Sequence, residues 1–292
     1  MAEPRQSSKD PQVPSGFGKI LNRHGYGLQY SILKVAEELY ERQRSAWALE
    51  VAEFPVMVKG VGTRIDFILR HRSRNQLLIA ECKRANPALA NWCFVTAPFV
   101  RSGRASEDLF AELIYIAGNL SLQSGVKSLG YTSEAYHLAF EIKTGAEGDY
   151  DGSGRGAVEE AATQVCRGLN GLVEYYGTQQ HTAHKQLPSN WEMVLSPVIF
   201  TTAKLWVSNV DLSLAAIGTG EIDPNSAELV SKPYVIYQYH MSPGIKHQLR
   251  SSWELRPLGE VLDVDYVRTI HIVNANSVSE WLKFASNTWR DS

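Results

Sequence analysis

The sequence predicts an α/β protein, in the α+β sense, whose first elements follow the order helix, three strands, helix, strand. Three observations support this prediction. Apolar residues recur with a helical period over residues 28–44 and again over 157–176. Short strand-like segments, bounded by glycine or polar turns, lie at 49–59, 64–69 and 77–83, and Ile65, Phe67 and Leu69 alternate with the other residues of the second segment. A long apolar run over 194–207 is typical of a central strand.

The length and composition fit one large domain. The chain has 292 residues, of which 44% are hydrophobic, enough to bury a sizeable core. Residues 1–17 are polar and contain three prolines, which predicts a disordered tail before a single domain at 18–292. Within that domain we expect an insertion at about 85–155, helical near 107–122, and a C-terminal β/α extension at about 208–292.

Charge, hydropathy and cysteine content narrow the function classes. A formal net charge of −2 excludes a generally basic nucleic-acid coat but allows local basic patches. No run of about 18 apolar residues is present, so neither a membrane span nor a signal peptide is expected. Three cysteines without ligand spacing predict a reduced, cytoplasmic protein that has neither structural disulfides nor a zinc site.

The strands at 64–69 and 77–83 contain the most informative group of residues. Asp66 lies near the middle of the first strand, and the second ends in Glu81-Cys82-Lys83. Successive side chains of a strand point to opposite faces, so Glu81 and Lys83 share a face and Cys82 lies on the other. Pairing of the two strands would bring both carboxylates and the ammonium together. Burying such carboxylates is costly without a cation, which indicates a metal or lysine site.

Basic residues surround this hairpin. Residues 64–84 have a formal net charge of +4 within a slightly acidic chain. Arginines in such a patch would contact phosphates without reading a base sequence. The alternative is that the turn at 70–74 is simply a solvated hairpin tip. The candidate substrate-binding residues are Arg64, Arg70, Arg72, Arg74 and Arg84.

Two further polar residues lie on the edges of the predicted helices, Glu38 in the first and Gln164 in the second. Either could reach a site at the boundary between helix and sheet, or could be an ordinary solvated helix residue. A second Glu-x-Lys occurs at Glu141 and Lys143, but no aspartate-bearing strand precedes it at hairpin distance. We therefore interpret it as a charge pair on an edge strand.

Residues 149–160 match the spacing of a calcium loop. Two features argue against calcium: Gly156 stands where such loops have an apolar anchor, and the preceding segment is predicted as a strand. A glycine-rich connection that leads into the second helix is the preferred interpretation.

The element order and the motif Asp66, Glu81-x-Lys83 resemble the PD-(D/E)XK nuclease superfamily, whose members have the restriction-endonuclease-like fold. The resemblance covers about residues 28–84 and 157–207. It implies an αβββαβ core with a mixed central sheet flanked by helices. Ile65 stands where the family name has proline, as it does in many members.

The resemblance implies a Mg²⁺- or Mn²⁺-dependent endonuclease, acting on DNA rather than RNA. Asp66, Glu81 and the backbone carbonyl of Cys82 would hold the metal, since Mg²⁺ prefers oxygen ligands. Lys83 would orient or deprotonate the attacking water, with Glu38 and Gln164 in accessory positions. By analogy alone, a prokaryotic defence (antiviral) effector is an expected role.

Two other functions are weighed against the nuclease. A catalytically silent nucleic-acid-binding or scaffolding module could keep the same fold, although its core residues would not need to be intact. A serine hydrolase is disfavoured because the sequence has no Gly-x-Ser-x-Gly elbow. Cutting both strands of a duplex calls for two active sites, which predicts a homodimer or an activating protein partner.

Overall fold

The protein has a mixed α/β architecture with a large mixed sheet, a smaller sheet and few helices. The computed structural model describes residues 12–23, 25–97, 108–116, 122–143, 156–178, 187–247 and 258–288. The α-helices are α1 Gln12–Arg23, α2 Tyr26–Glu41, α3 Gly156–Thr178, α4 Leu258–Val261 and α5 Val278–Thr288, and a π-helical segment, Leu262–Tyr266, follows α4. The predicted tail at 1–17 therefore overlaps α1 from Gln12 onward.

Twelve strands are found in the described residues. They are β1 Trp47–Val58, β2 Val61–His71, β3 Gln76–Lys83, β4 Asn91–Val95, β5 Asp108–Ile116, β6 Leu122–Thr132, β7 Leu138–Ile142, β8 Glu192–Thr201, β9 Lys204–Ser208, β10 Val230–Lys232, β11 Tyr234–His240 and β12 Val267–Asn274. The large sheet has the order β1-β2-β3-β8-β12-β11, with β5 also paired to β8 and β6 paired to β5. The small sheet has the order β10-β9-β4-β7.

The first three strands form an antiparallel meander, and β8 joins it parallel to β3. Helix α3 lies between β3 and β8 in the chain, after β4–β7. The elements α2, β1–β3, α3 and β8 thus follow one another in the predicted order, but four further strands, β4–β7, lie between β3 and α3. The strand β8 is central, since β3 pairs with one of its edges and β12 and β5 pair with the other.

Both faces of the large sheet are covered at β3, whose alternate residues belong to different core clusters. Leu78 and Ala80 belong to the core cluster that includes residues of α2 and α5. The alternate residues Leu77 and Ile79 belong to a second cluster with α3. Glycines let α3 approach closely: a Cβ at Gly168 would lie 2.9 Å from the Ile65 side chain.

The helix predicted near 107–122 is wrong, because the described residues of this segment, 108–116 and 122, belong to the strands β5 and β6. Strand β5 pairs with β8 through Glu112–Tyr115 and buries Leu109, Ala111 and Ile114. A strand buried on both faces has a continuous apolar sequence, so its periodicity does not distinguish it from a buried helix.

The long strand predicted at 194–207 is two strands in different sheets, β8 and β9. At the break between them, the hydroxyl of Thr201 accepts a hydrogen bond from Ala203 N (3.1 Å), and that of Thr202 accepts one from Ala85 N (2.9 Å). Pro197 lies inside β8, between the residues that pair with β5 and those that pair with β12. Its missing N–H is tolerated where the neighbouring strand changes.

None of the helices in the described ranges combines the length and apolar character that crossing a bilayer requires.

Candidate active site

An irregularity in the β1–β2 ladder sets the position of Asp66. Ile65 and Phe67 are both buried, yet they belong to core clusters on opposite sides of the sheet. Strict alternation would place them on one face. Glu53 lies across the ladder from Asp66, between the pairs Ala52–Phe67 and Phe54–Ile65, and its φ is +57°. Local distortions of this kind turn side chains toward new directions and are frequent beside active sites.

The predicted Asp66, Glu81 and Lys83 are brought together. Phe67 pairs with Ala80 in the antiparallel β2–β3 ladder, and the same register places Asp66 opposite Glu81. The two side chains line the same cavity, and the charge of Asp66 acts on Glu81. The backbone N–H of Cys82 donates to Asp66 Oδ2 at 2.7 Å, which fixes the orientation of that carboxylate.

The two carboxylates destabilise each other's charge. Burial raises the pKa of Asp66, the hydrogen bond from Cys82 N opposes this, and the negative charge of Glu53 adds to it. Burial also raises the pKa of Glu81, and the charge on Asp66 raises it further. Lys83 lowers both pKa values but does not offset these effects. The pair is therefore ionised only at a cost that a bound cation would remove.

Lys83 is held toward the helix on the same side of the sheet. Its Nζ lies 2.9 Å from Glu160 Oε1 in α3, and its side chain is 21% exposed. The ammonium is thus positioned beside the carboxylates by a partner that is itself largely exposed. Such a partly exposed ion pair contributes little to stability but restricts where the ammonium can lie.

Two residues at the site were missed in the sequence. Gln29 Nε2 donates to Glu53 Oε1 (2.7 Å) and to the backbone oxygen of Asp66 (2.9 Å). Gln29 is buried and precedes Ile32, Leu33 and Ala36 at helical spacing, so its polar character on an apolar face was a usable signal. Glu53 gave no such signal, because a left-handed backbone inside a strand is not visible in the residue pattern.

These residues line a cavity of about 1030 Å³ between α2, the β1–β2–β3 meander and α3. Gln164 lines it too, and its Oε1 is buried without a hydrogen bond in the described part of the chain. The charged and polar residues of the lining are Gln29, Glu53, Thr63, Arg64, Asp66, Glu81, Lys83, Arg84, Gln164, Glu174 and Thr178, and its aromatic residues are Tyr26 and Tyr175.

Of the predicted phosphate-binding arginines, only Arg64 and Arg84 line the cavity. Arg64 Nη1 lies 2.8 Å from Glu53 Oε2. Arg70 instead pairs with Glu50 through both carboxylate oxygens, at 2.7 and 2.8 Å. Arg72 and Arg74 belong to the turn before β3, about 20 Å along the strand from Glu81 at 3.3 Å per residue. The hairpin tip is therefore not part of this site.

Glu38 is exposed and does not line the cavity. It lies nine residues after Gln29 in α2, which corresponds to about 13 Å along the helix. The residue of this helix that hydrogen-bonds within the site is Gln29, near the N-terminus of the helix, through the Glu53 carboxylate and the Asp66 backbone.

The second Glu-x-Lys has a structural role. Glu141 Oε2 accepts a hydrogen bond from Ala157 N (2.9 Å), and Oε1 accepts one from Trp92 Nε1 (3.2 Å). Glu141 thus satisfies an N–H in the first turn of α3. A Cβ on Gly156 would overlap the Glu141 carboxylate, so a larger residue at this position would displace that side chain.

The candidate calcium loop at 149–160 lies mostly outside the described residues, including Asp149, Asp151 and Ser153. Its described final acid, Glu160, pairs with Lys83.

The donors at the site suit a hard divalent cation. Asp66 and Glu81 offer carboxylate oxygens, and the backbone carbonyl of Cys82 lies between Glu81 and Lys83 in the same strand. The Cys82 side chain packs against the core on the α2 side, and burial raises the pKa of its thiol, so it is no thiolate ligand. In the part of the chain that the structure describes, no three His, Cys, Asp or Glu side chains form a ready metal cage. Mg²⁺ is commonly held by one or two carboxylates with waters and substrate phosphates.

The chain was compared with protein-family models, curated proteins and solved structures, and none of the three comparisons found a match.

Proposed function

We propose that the protein is a Mg²⁺- or Mn²⁺-dependent nuclease that hydrolyses phosphodiester bonds in DNA. One observation carries the proposal: a buried carboxylate, Glu81, and a partly buried one, Asp66, lie together on adjacent strands with Lys83 beside them. Two like charges held close together are unfavourable if their role is purely structural. The arrangement instead suits the binding of a metal ion, which would neutralise both carboxylates.

The topology supports the same proposal. Helix α2, the antiparallel strands β1–β3, helix α3 and the parallel strand β8 follow the order of the restriction-endonuclease-like αβββαβ core. The aspartate lies on the second core strand and Glu-x-Lys on the third, as in the PD-(D/E)XK signature. The remaining strands of the large sheet extend it beyond β8.

In the proposed mechanism, Asp66 and Glu81 would hold the ion with the Cys82 carbonyl, and the N–H of Cys82 keeps Asp66 in place. When bound, the ion lowers the pKa of a coordinated water and neutralises charge on the phosphate. Lys83, held by Glu160, orients the attacking water and balances the developing negative charge. Gln164 supplies a polar contact at the cavity wall.

The decisive experiment combines metal dependence with matched lysine variants. The protein is incubated with plasmid, single-stranded DNA and RNA, in Mg²⁺ or EDTA. We expect DNA cleavage in Mg²⁺ only, and its loss in Asp66→Ala and Lys83→Ala. Lys143→Ala, which removes the exposed lysine of the other Glu-x-Lys, should cleave normally.

Cleavage that survives EDTA, or that persists in Asp66→Ala and Lys83→Ala, would contradict the mechanism. Binding of nucleic acid without any cleavage would instead favour the alternative, a catalytically silent binding or scaffolding module with this fold.

A further inference from the structure

Two tyrosines stand at the borders of the active-site cavity. Tyr26 is the first residue of α2, and Tyr175 lies in the last turn of α3. Both line the cavity, yet they remain 40% and 43% exposed. At these exposures, part of each side chain is accessible to a ligand in the cavity.

Neighbouring rings support one of these tyrosines. Tyr175 makes edge-to-face contacts with Phe54, at a centroid distance of 5.5 Å, and with Tyr176, at 5.8 Å. Phe54 directly follows Glu53 in β1, so the ring lies close to the carboxylate site. A ring fixed by its neighbours loses little conformational freedom when a base stacks on it.

The reacting groups are recessed. Glu81 is only 9% exposed, and the cavity of about 1030 Å³ is the size of a generous small-ligand site. Bases in a duplex are stacked and paired inside the helix. The bases of a single strand can stack on aromatic side chains, and a single strand bends more easily than the stiff duplex, so it can bring one phosphate into such a recess at a lower cost.

The charge of the lining also disfavours binding through phosphates alone. Four carboxylates, those of Glu53, Asp66, Glu81 and Glu174, face three cations, those of Arg64, Lys83 and Arg84. Duplex-binding proteins depend largely on many Lys and Arg contacts to phosphates. Here, stacking on aromatic side chains is the available additional source of affinity.

Building on the proposed nuclease function, we propose that the substrate is single-stranded DNA, or an unpaired segment of a duplex. Bases on either side of the scissile phosphate stack on Tyr26 and Tyr175, and Arg64 and Arg84 contact the flanking phosphates. The two rings place the strand so that one phosphate reaches Asp66 and Glu81.

Binding is measured by fluorescence anisotropy in the Lys83→Ala background with Mg²⁺, using a short labelled oligonucleotide as single strand, as duplex and as RNA. We expect the DNA single strand to bind most tightly. Tyr26→Ala and Tyr175→Ala should each weaken its binding roughly 5- to 150-fold, the range measured for loss of one stacked base. Duplex binding should change less than twofold.

Three variants separate stacking from structural damage. Tyr175→Trp keeps a stacking face and should bind the single strand as the parent does, whereas Tyr175→Leu keeps apolar packing and should bind weakly. Tyr40→Ala removes a tyrosine of the same helix α2 that is 37% exposed but does not line the cavity, and should have no effect.

Equal binding of single strand and duplex would overturn the proposal, as would undiminished single-strand binding by folded Tyr26→Ala and Tyr175→Leu proteins. Tighter binding of the RNA would overturn the assignment to DNA. Failure of the nuclease proposal would look different: tyrosine-dependent binding of single strands by the wild-type protein, with no cleavage in Mg²⁺.

Discussion

Glu81 and Glu141 have the same local sequence pattern but opposite environments. Each is followed two residues later by a lysine, and each is buried, at 9% and 7% exposure. Glu141 accepts two N–H hydrogen bonds, from Ala157 and Trp92. Glu81 instead faces the carboxylate of Asp66, which raises its pKa in addition to the effect of burial.

The difference separates a structural acid from a candidate catalytic acid. A third buried glutamate, Glu112, follows the structural pattern. Burial would raise its pKa, but Arg268 (2.7 Å) and His247 (3.0 Å) lower it by more. A buried carboxylate that accepts enough hydrogen bonds from the protein is stable in its ionised form. A carboxylate held beside another acid is stabilised in that form by a bound cation.

The largest expected effect comes from Glu81→Gln. Removing a proposed metal ligand should lower the cleavage rate on the order of 10³-fold, which corresponds to several kcal/mol of transition-state stabilisation. The melting temperature at pH 8 should stay level or rise, because a buried like-charge repulsion is removed. Cleavage assays and thermal melts test both. Glu141→Gln is the matched control. Equal losses of activity in the two variants would contradict the assignment of a catalytic role to Glu81 and a structural role to Glu141.

Glu141→Ala should lower stability but leave activity unchanged, which is the reverse of the result expected for Glu81→Gln. The N–H groups of Trp92 and Ala157 would lose their acceptor, which should lower the free energy of unfolding by about 1–3 kcal/mol. Chemical denaturation measures this loss. Activity per folded molecule should be retained. An unchanged stability would mean that water replaces the carboxylate and that Glu141 is not required at this position.

The sequence predicted the carboxylate pair because hairpin register and alternation are local properties. Asp66, Glu81 and Lys83 needed only two adjacent strands and a turn to be placed together. The prediction of five substrate-binding arginines was less accurate, because a count of charges along the chain does not show how far each side chain lies from the site. Arg70 and Arg74 are near Asp66 in sequence, but neither lines the cavity.

Other parts of the fold depended on contacts that the sequence does not display. Strand β5 has the same apolar composition as a buried helix, and its pairing with β8 decides its conformation. The left-handed backbone of Glu53 arises from the ladder around it. Gln29 was predictable in principle, because a glutamine at a buried helical position needs a partner.

Mg²⁺ should stabilise the protein more at high pH than at low pH. The pKa values of Asp66 and Glu81 are raised on folding. Without metal, the pair therefore lowers stability as the pH rises from the unfolded pKa, near 4, through the raised folded values. Metal binds the deprotonated pair, so its effect should be greatest at pH 8 and small at pH 5.

At a tenfold excess over its dissociation constant, Mg²⁺ should add about 1.4 kcal/mol at pH 8. Thermal melts with Mg²⁺ or EDTA at both pH values measure this, and Glu141→Gln should keep the gain while Glu81→Gln loses it. A gain of the same size at pH 5 and pH 8 would argue against binding at the carboxylate pair.

The smallest expected effect tests the third acid, Glu53. Its positive φ costs about 1 kcal/mol for a residue other than glycine, and its charge raises the pKa of both Asp66 and Glu81. Glu53→Gly and Glu53→Ala remove the same charge and the same ion pair with Arg64, but only glycine relieves the backbone.

The glycine variant should therefore be more stable than the alanine variant by about 1 kcal/mol in chemical denaturation. Because both variants remove a negative charge beside the pair, both should shift the acidic limb of the cleavage–pH profile to lower pH. If alanine proved as stable as glycine, the left-handed backbone would impose no cost at this position. If the pH profile did not move, Glu53 would not influence the carboxylate pair, and its position beside Asp66 would reflect only the packing of Gln29 and Arg64.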